Sequence, residues 1–471
     1  MANSDKWPAD AVGPPAPLPI NYLWNSIVLT GDASAYYVAI AFIDLITVLP
    51  LFFQRACESM SARQGPGAVF LTPSLLAALA LAIRTGGWLV PPFFSARTVS
   101  THRKKKPVLL TACWIGRLPF MVAAIYLCSG SAASHPALCI AVVMGAWAMF
   151  SVSEGFAMVP WLYIISHAIP DRRRGRMFGL MTIIGGVLAC SAGLVVNRLM
   201  RADGPPFPRN FGILIGIVFL LMMVSQGFLI LIREPVVDED HREPEPIPML
   251  DHLRQVPTLI RDNTAFRRMI IVQLVGSAAA MASALYTLFA TQRLHLPAEM
   301  VGRFLSVSMV GTIAGSILWG HVNDHFNPRR VIRLNLVAML LTPWTAFAVA
   351  SLATPFKLAP ELVAWTYSAT FFLVGATFSG GFTGYTNYMI ETAPPGRLPE
   401  YTGLMNTLNA PSVLMPIVGT WLASVLSPQI VFVAAGCGAA LALGLSRGLP
   451  ASGRHSDQVL RVEYAAPDLG P

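Results

Sequence analysis

Charged residues are scarce in this sequence. Asp, Glu, Lys and Arg make up 12% of its 471 residues, against about a quarter in soluble domains, while 54% of the residues are hydrophobic. The mean hydropathy is +0.58. An ordinary soluble globular domain is therefore excluded, and the chain is expected to lie in a membrane.

Cysteine is also sparse and shows no pattern. The six cysteines are scattered, mostly inside apolar runs, and none has the C-x-x-C spacing of a metal or redox site. We interpret them as small buried hydrophobic residues. The sequence thus predicts no disulfide framework, no metal and no cofactor.

Several functional motifs are missing from the sequence. The G-x-x-x-x-G-K-[ST] loop that binds ATP does not occur, which argues against an ATP-driven pump unless a separate subunit supplies the ATPase. Neither H-E-x-x-H nor a Ser/His/Asp grouping indicates an enzyme. The first twenty residues lack a basic stretch followed by an apolar one, so no cleaved signal peptide is predicted.

Long apolar runs dominate the chain instead. A membrane-spanning helix needs about 20 mostly apolar residues. The runs of this length predict an all-α membrane protein with twelve transmembrane helices. The predicted spans cover residues 33–53, 69–93, 107–129, 136–165, 177–198, 210–232, 269–290, 302–320, 331–353, 361–389, 402–425 and 429–446.

The charges between the spans predict the orientation. Loops on one side carry thirteen Lys and Arg residues and loops on the other carry eight. The positive-inside rule therefore places the first side and both termini in the cytoplasm, and we expect the plasma membrane.

The longest connection divides the chain. It follows the sixth span; its first part is acidic and proline-rich like a linker, and its second part, from Met249 to Ile260, has the apolar spacing of an amphipathic surface helix. The predicted segments are a polar N-terminal segment (1–32), an N-terminal six-helix bundle (33–232), a cytoplasmic linker with the amphipathic helix (233–268), a C-terminal six-helix bundle (269–447) and a cytoplasmic tail (448–471).

An internal repeat relates the two halves. Arg173 in "PDRRRGRMFGLMT" aligns with Arg397 in "PPGRLPEYTGLMN" at an offset of 224 residues. The same offset places "KK" at 105–106 on "RR" at 329–330. Because one offset aligns two separate loops, the halves are predicted to be pseudo-symmetric, as in transporters with a substrate site between repeats.

Two of these loops resemble the signatures of a known family. "GHVNDHFNPRR", residues 320–330, resembles the inner-loop signature of the major facilitator superfamily, and "RRGRMFG" resembles its companion segment. The resemblance covers the whole chain and implies two pseudo-symmetric six-helix bundles that transport a solute by alternating access. The first copy departs from the signature, with Ala96 and Ser100 in place of the glycine and the acid. The fifth span also lacks the glycine-proline pattern of drug/proton antiporters.

The resemblance also implies a gate at the inner loops. Asp324 would lie against the N-terminal end of the fifth span near Arg176, where free N–H groups and the helix dipole favour a carboxylate. In the other copy Glu400 would supply the acid and the "HRKKK" run the base. Alternatively, Glu400 only favours a helix N-terminus and the lysines set the topology. The predicted gating residues are Ser100, Lys105, Lys106, Arg173, Arg174, Arg176, Gly320, Asp324, Arg329, Arg330, Arg397 and Glu400.

Four charged residues fall near the middle of predicted spans. A charge at the bilayer centre costs about 2.5–3.5 kcal/mol on insertion scales, so such residues face a cavity or one another. One alternative is a structural network in which the charges of the acids and the arginines cancel in pairs. The other is a polar cavity wall, in which the acids carry a proton or bind a cationic group and the arginines hold an anionic group. These residues are Asp44, Arg84, Arg117 and Glu154, and the pair Arg117–Glu154 is the first to test.

The second half offers only neutral polar residues inside its spans. They are predicted either to hydrogen-bond a substrate or to join helices. Those placed on the substrate or proton pathway are Gln273, Tyr385, Asn387 and Asn406.

These observations favour a secondary active transporter or facilitator of a small organic solute. Proton coupling stays open. The predicted partners are the small-molecule substrate and the lipid bilayer, with no nucleic acid, and the chain is expected to be a monomer. The alternative is a non-transporting membrane sensor or lipid-handling protein on the same scaffold.

Overall fold

The structure is a computed structural model. It describes residues 19–234 and 261–450, apart from short gaps at 45, 66–70, 90, 93–94, 96–103, 170, 262, 354–355, 357–358, 395–400, 402–403 and 406–407. The predicted amphipathic helix and the tail from residue 451 lie outside the described residues.

Seven helices are described in the first half. They are α1 (Pro19–Phe42), α2 (Val48–Gln64), α3 (Pro73–Leu89), α4 (Lys106–Cys128), α5 (Pro136–Ala168), α6 (Asp171–Met200) and α7 (Arg209–Leu231). Helix α1 packs on α6 and α7, whereas α5 packs on α3 and α4. Aromatic rings such as Phe120, Trp147 and Phe150 fill the core between these helices.

The second half repeats this arrangement. Its helices are α8 (Thr264–Gly276), α9 (Tyr286–Gln292), α10 (Met300–His325), α11 (Pro328–Ala353), α12 (Pro360–Thr392), α13 (Met415–Val425) and α14 (Pro428–Ser446). The start of α8 is capped by the side chain of Asn263, which accepts a hydrogen bond from Phe266 N at 3.0 Å. Proline at the first position of α12 and α14 suits a helix start because its missing N–H would have no helical partner.

The number of spans agrees with the prediction. Within the described residues, nine segments are long and apolar enough to cross a membrane, and one of them, Thr264–Gln292, joins α8 and α9 through a 3₁₀ turn. The other three spans are α1, the shorter α3, and the apolar segment Ala410–Val425 that ends in α13. The protein is therefore an all-α membrane protein with twelve spans in two pseudo-symmetric bundles.

The first span begins earlier than predicted. Helix α1 starts at Pro19 rather than at residue 33, and the indole of Trp24 donates to the carbonyl of Leu231 at 2.9 Å. The start of α1 is thus level with the end of α7. Residues 19–32, which the prediction assigned to the polar N-terminal segment, are therefore part of helix α1.

Basic side chains tie the spans together at one end of the molecule. In the first half, the Lys106 ammonium donates to the carbonyls of Ile230 (2.7 Å) and Ile232 (2.8 Å), at the C-terminal end of α7. In return, the Glu234 carboxylate accepts from the backbone N–H groups of Lys105 (2.6 Å) and Lys106 (3.2 Å), at the start of α4. Each charge meets the helix end of opposite partial charge.

The second half uses the same device. The Arg333 guanidinium donates to the carbonyls of Ser446 (3.1 Å) and Arg447 (3.1 Å), and Arg329 donates to Arg447 O at 3.2 Å, at the C-terminal end of α14. We call this end of the molecule, where α1 begins and α14 ends, the termini face. The opposite end, where α6 ends and α10 begins, is the far face.

The two halves are joined at the far face. Asn197 donates to the Glu299 carbonyl at 2.9 Å, and Arg201 forms an ion pair with the Glu299 carboxylate at 3.4 Å. Below them, α6 and α10 approach so closely that a Cβ on Gly302 would overlap the backbone of Gly193. Small residues at crossing points are how membrane helices reach such contact.

A second link at the far face connects the bend after α1 with α9. Thr287 donates to the Ile46 carbonyl at 2.5 Å, and Thr291 donates to the Gln54 side chain at 2.6 Å. Two sets of contacts therefore hold the halves together at the far face. One joins α6 to α10, and the other joins the α1–α2 region to α9.

Candidate functional site

A cluster of charged side chains lies in the middle of the first half. Its members are Asp32 and Tyr36 on α1, Arg84 on α3, Arg117 on α4, Glu154 on α5, and Ser225 and Gln226 on α7. Depth follows from the helix rise of about 1.5 Å per residue. Asp32 is eight residues beyond Trp24 and thus about 12 Å below the termini face, well inside a hydrocarbon core of about 30 Å.

Asp32 is the most deeply buried acid of the cluster. Its side chain is 5% exposed, and its carboxylate accepts a hydrogen bond from the Ser225 hydroxyl at 2.5 Å. The indole of Trp161 interacts with the same carboxylate, and Arg117 and Glu154 are close enough to act on it electrostatically. A buried carboxylate with few donors is costly when ionised, which suits a group that gains and loses a proton.

Arg117 is held by α7. The residue is 2% exposed, and its guanidinium donates to the Gln226 side chain at 2.7 Å and to the Met222 carbonyl at 3.1 Å. Its Nε has no hydrogen-bond partner. Arg117 therefore keeps a free donor inside the cluster, beside the two acids.

Glu154 is placed by close helix contacts on two sides. A Cβ on Gly116 of α4 would meet the side chain of Ser153, and a Cβ on Gly155 would overlap the carbonyl of Gly87 on α3. These glycines let α5 lie against both neighbours, so Glu154 sits between α3 and α4. Its Oε1 is buried without a hydrogen-bond partner.

Arg84 reaches the cluster through Tyr36. Its guanidinium donates to the Tyr36 hydroxyl at 3.2 Å, and this hydroxyl faces the Glu154 carboxyl group. The guanidinium also lies 5.0 Å from the ring centroid of Trp88, at a cation–π distance. The Nη1 atom of Arg84 is buried without a hydrogen-bond partner.

The four charges sum to zero, yet they do not pair directly. In the described part of the chain, neither arginine lies within 4.0 Å of the Asp32 or Glu154 carboxylate. Arg117 and Glu154, which were predicted to interact, are thus neighbours that form no ion pair. Arg117 Nε and Glu154 Oε1 each have no hydrogen-bond partner. Buried polar groups are normally satisfied, and sites where they are not are often functional.

Asp44 does not belong to this cluster, contrary to the prediction that it lies near mid-membrane. It is twenty residues beyond Trp24, which is about 30 Å and the whole hydrocarbon thickness. Its Oδ1 accepts from the backbone N–H groups of Ile46 (3.0 Å) and Thr47 (2.7 Å) and from the Thr47 hydroxyl (2.7 Å). Asp44 therefore stabilises the bend between α1 and α2.

The neutral polar residues predicted in the second half lie on other helices than the charged cluster. Two buried side-chain oxygens there have no hydrogen-bond partner, Oε1 of Gln273 on α8 and Oδ1 of Asn409. Tyr385 on α12 is 7% exposed, and Asn387 on the same helix is half-buried. Asn406 lies outside the described residues.

The predicted gating residues are described only in part. Ser100, Arg397 and Glu400 lie outside the described residues, as do the side chains of Arg173, Arg174 and Arg176 on α6 and of Asp324 on α10. Gly320 faces open space, and Arg330 lies over the ring of Phe326 at 4.4 Å. Lys106 and Arg329 contact the last helix of their own half.

Sequence reasoning missed Asp32, Tyr36, Ser225 and Gln226. The stretch "LTGDASAY" around Asp32 lowers the hydropathy of the window, and the predicted first span therefore begins at residue 33, directly after Asp32. The signal was the apolar run "SIVL" just before, which continues the same helix. Ser225 and Gln226 are neutral, and a search for intramembrane charges passes over them.

Two six-helix bundles related by a repeat, with buried charges between their spans, define a multi-pass membrane transporter. The sequence matches the family model of the Major Facilitator Superfamily over residues 75–412 and 274–458. The chain belongs to this family. No curated protein matches it in sequence.

Solved structures share the fold at low identity. A variant of the nucleoside transporter NupG matches with a TM-score of 0.66 and 12% identity over 90% of this chain and 99% of that one. A D-xylose-proton symporter matches with a TM-score of 0.64 and 13% identity, over 92% and 98% of the two chains. A bacterial homologue of the iron transporter ferroportin, in an inward-facing state, matches with a TM-score of 0.61 and 12% identity, over 92% and 99%.

Proposed function

We propose that the protein is a secondary transporter of a small organic solute and works by alternating access of its two halves. The observation that carries this proposal is the cluster around Asp32, Arg117 and Glu154, in which buried charges balance without pairing. A purely structural network would gain most from direct ion pairs. Charges with unpartnered atoms are instead available to a solute or a proton.

Within this proposal the acids and the arginines have different roles. Asp32 and Glu154 are the groups that carry a proton or bind a cationic part of the solute. Arg84 and Arg117 hold an anionic part, because a guanidinium offers several donors in a fixed plane. Gln273, Tyr385, Asn387 and Asn406 supply hydrogen bonds from the second half.

The termini face is proposed to be cytoplasmic, in the plasma membrane, with the protein as a monomer. The basic residues at this face support the orientation through the positive-inside rule. The contacts of Glu299 and Thr287 then lie at the outer face, so this conformation is closed to the outside. The inner gate is proposed to form when Asp324 meets the start of α6 near Arg176, and when Glu400 meets the basic run before α4.

Transport is tested with the full-length protein in liposomes. Ligands are first sought by thermal shift, because a compound that binds the folded state raises its apparent stability. The screen includes nucleosides, pentoses and iron salts, the compounds named for the structural neighbours, beside organic acids and amines. Uptake of each compound that binds is then measured in liposomes containing the protein, with and without a pH gradient.

Two variants separate proton coupling from structure. If the acids carry the proton, Asp32→Asn and Glu154→Gln abolish uphill uptake but keep solute exchange. Asp203→Asn is the matched control, since Asp203 is an exposed acid at the far face, 3.7 Å from Arg198. A ligand that binds but is never taken up contradicts transport and favours a sensor.

A further inference from the structure

Two histidines stand one helical turn apart at the termini-face end of α10. His321 and His325 are both exposed, and their ring centroids are 4.0 Å apart with the planes tilted by 31°. Residues spaced i, i+4 share one face of a helix. The pair takes no part in the charged cluster or in the far-face contacts.

A hydrogen bond fixes which nitrogen of His325 is free. Its Nδ1 lies 3.0 Å from the backbone carbonyl oxygen of His321. Because a carbonyl oxygen can only accept, Nδ1 carries the proton and donates, and Nε2 keeps its lone pair. Histidines that bind metal ions are oriented in this way, with one ring nitrogen donating to a carbonyl and the other facing the ion.

We propose that the Nε2 atoms of His321 and His325 bind one divalent transition metal ion of the zinc and copper group. Two histidines at i, i+4 on a helix are the ligand pair that holds zinc in H-E-x-x-H helices. Imidazole nitrogen suits Zn²⁺ and Cu²⁺, whereas Mg²⁺ and Ca²⁺ prefer oxygen ligands. The C-terminal end of α10, which is His325 itself, adds the negative end of the helix dipole.

The ligand count sets the kind of site. In the described part of the chain, no group of three or more His, Cys, Asp and Glu side chains could hold a metal. The pair therefore forms a two-ligand surface site that water completes, and Cu²⁺ binds it more tightly than Zn²⁺. A metal bridging these residues closes a ring across the last turn of α10 and holds that turn in place.

The test uses the full-length protein in detergent, purified through a tag without histidine. Calorimetric titration with ZnCl₂ and CuCl₂ is expected to show one saturable site, weakened about tenfold or more in His321→Gln and in His325→Gln. His295→Asn is the control: His295 is exposed, has no histidine one turn away, and has a φ of 52°, which asparagine tolerates. Its binding should equal that of the wild type.

A spectroscopic measurement on the wild type and the two single variants decides the ligand set. Electron paramagnetic resonance of the Cu²⁺ complex should show two nitrogen ligands, falling to one in either single variant. The proposal is overturned if the wild type shows no saturable binding, fewer than two nitrogen ligands, or a site that survives in the His321→Gln, His325→Gln double variant. None of these outcomes depends on whether the protein transports a solute.

Discussion

The hydroxyl of Ser225 and the carboxylate of Asp32 are 2.5 Å apart and join α7 to α1 across the core of the first half. Both side chains are buried, with Ser225 fully inaccessible. The Ser225 hydroxyl and the Trp161 indole are the side chains that interact with this carboxylate by hydrogen bonding, so the hydroxyl is a principal donor to a deeply buried acid. The pair thus links the packing of two spans to the charge state of the cluster.

Removing that donor should destabilise the protein. Ser225→Ala leaves a buried carboxylate short of one hydrogen bond, which costs about 1–3 kcal/mol. Ser225→Thr, which keeps a hydroxyl, should recover part of this loss. The thermal midpoint of the full-length protein in detergent measures the effect.

A second buried serine provides the control for this comparison. Ser368 is 3% exposed and donates only to the Ala364 carbonyl of its own helix at 2.7 Å. That carbonyl already lies in the helical ladder, so Ser368→Ala should shift the midpoint little. Equal shifts for Ser225→Ala and Ser368→Ala would show that the bond to Asp32 contributes nothing specific.

Asp44 should behave as a residue that shapes the backbone and not as a proton carrier. Asp44→Asn keeps the Oδ1 that accepts from Ile46 and Thr47, so transport and stability should stay near wild type. Asp44→Ala removes the acceptor and should lower the thermal midpoint, by roughly 1 kcal/mol in stability. Loss of pH-driven uptake in Asp44→Asn, with the midpoint unchanged, would assign a proton to Asp44 after all.

The fold was largely readable from the sequence, whereas the site was readable only in part. Hydropathy fixes where spans such as α4 and α5 lie, because membrane insertion depends on apolar length. It failed at α1, where Asp32 and its polar neighbours break the apolar run while still facing the bundle interior. Hydropathy averages over all faces of a helix, so a span with one polar face is read as too short.

Which side chains contact one another could not be predicted from the sequence, for a different reason. Arg117 and Glu154 were identified because intramembrane charge is rare, but their partners depend on helix rotation and on close contacts such as Gly116 with Ser153. The offset between the halves likewise equated Lys106 with Arg330. In the structure, the cap on α14 comes from Arg329 and Arg333 instead.

This difference predicts unequal effects for two residues that the repeat treats as equivalent. Lys106→Met removes the donor to Ile230 O and Ile232 O and should cost roughly 1 kcal/mol of stability. Arg330→Met removes only a surface cation–π contact with Phe326 and should cost less. Thermal midpoints at low and high salt measure both. A larger loss of stability for Arg330→Met than for Lys106→Met would contradict the roles that the observed helix caps assign to these two residues.

The far-face contact between α6 and α10 should control which side is open. A methyl group at Gly302 overlaps the backbone of Gly193 and Asn197, so Gly302→Ala cannot form the contact without separating the helices. Gly145 on α5 has open space around the position of an added methyl group, with nothing within 4 Å, so Gly145→Ala should leave the far face closed. Spin labels on the exposed residues Arg198 and Arg293, in a background without native cysteines, report the far-face distance. Gly302→Ala should shift that distance to longer values, while Gly145→Ala should match the parent; equal distributions in all three would show that this crossing does not hold the far face closed.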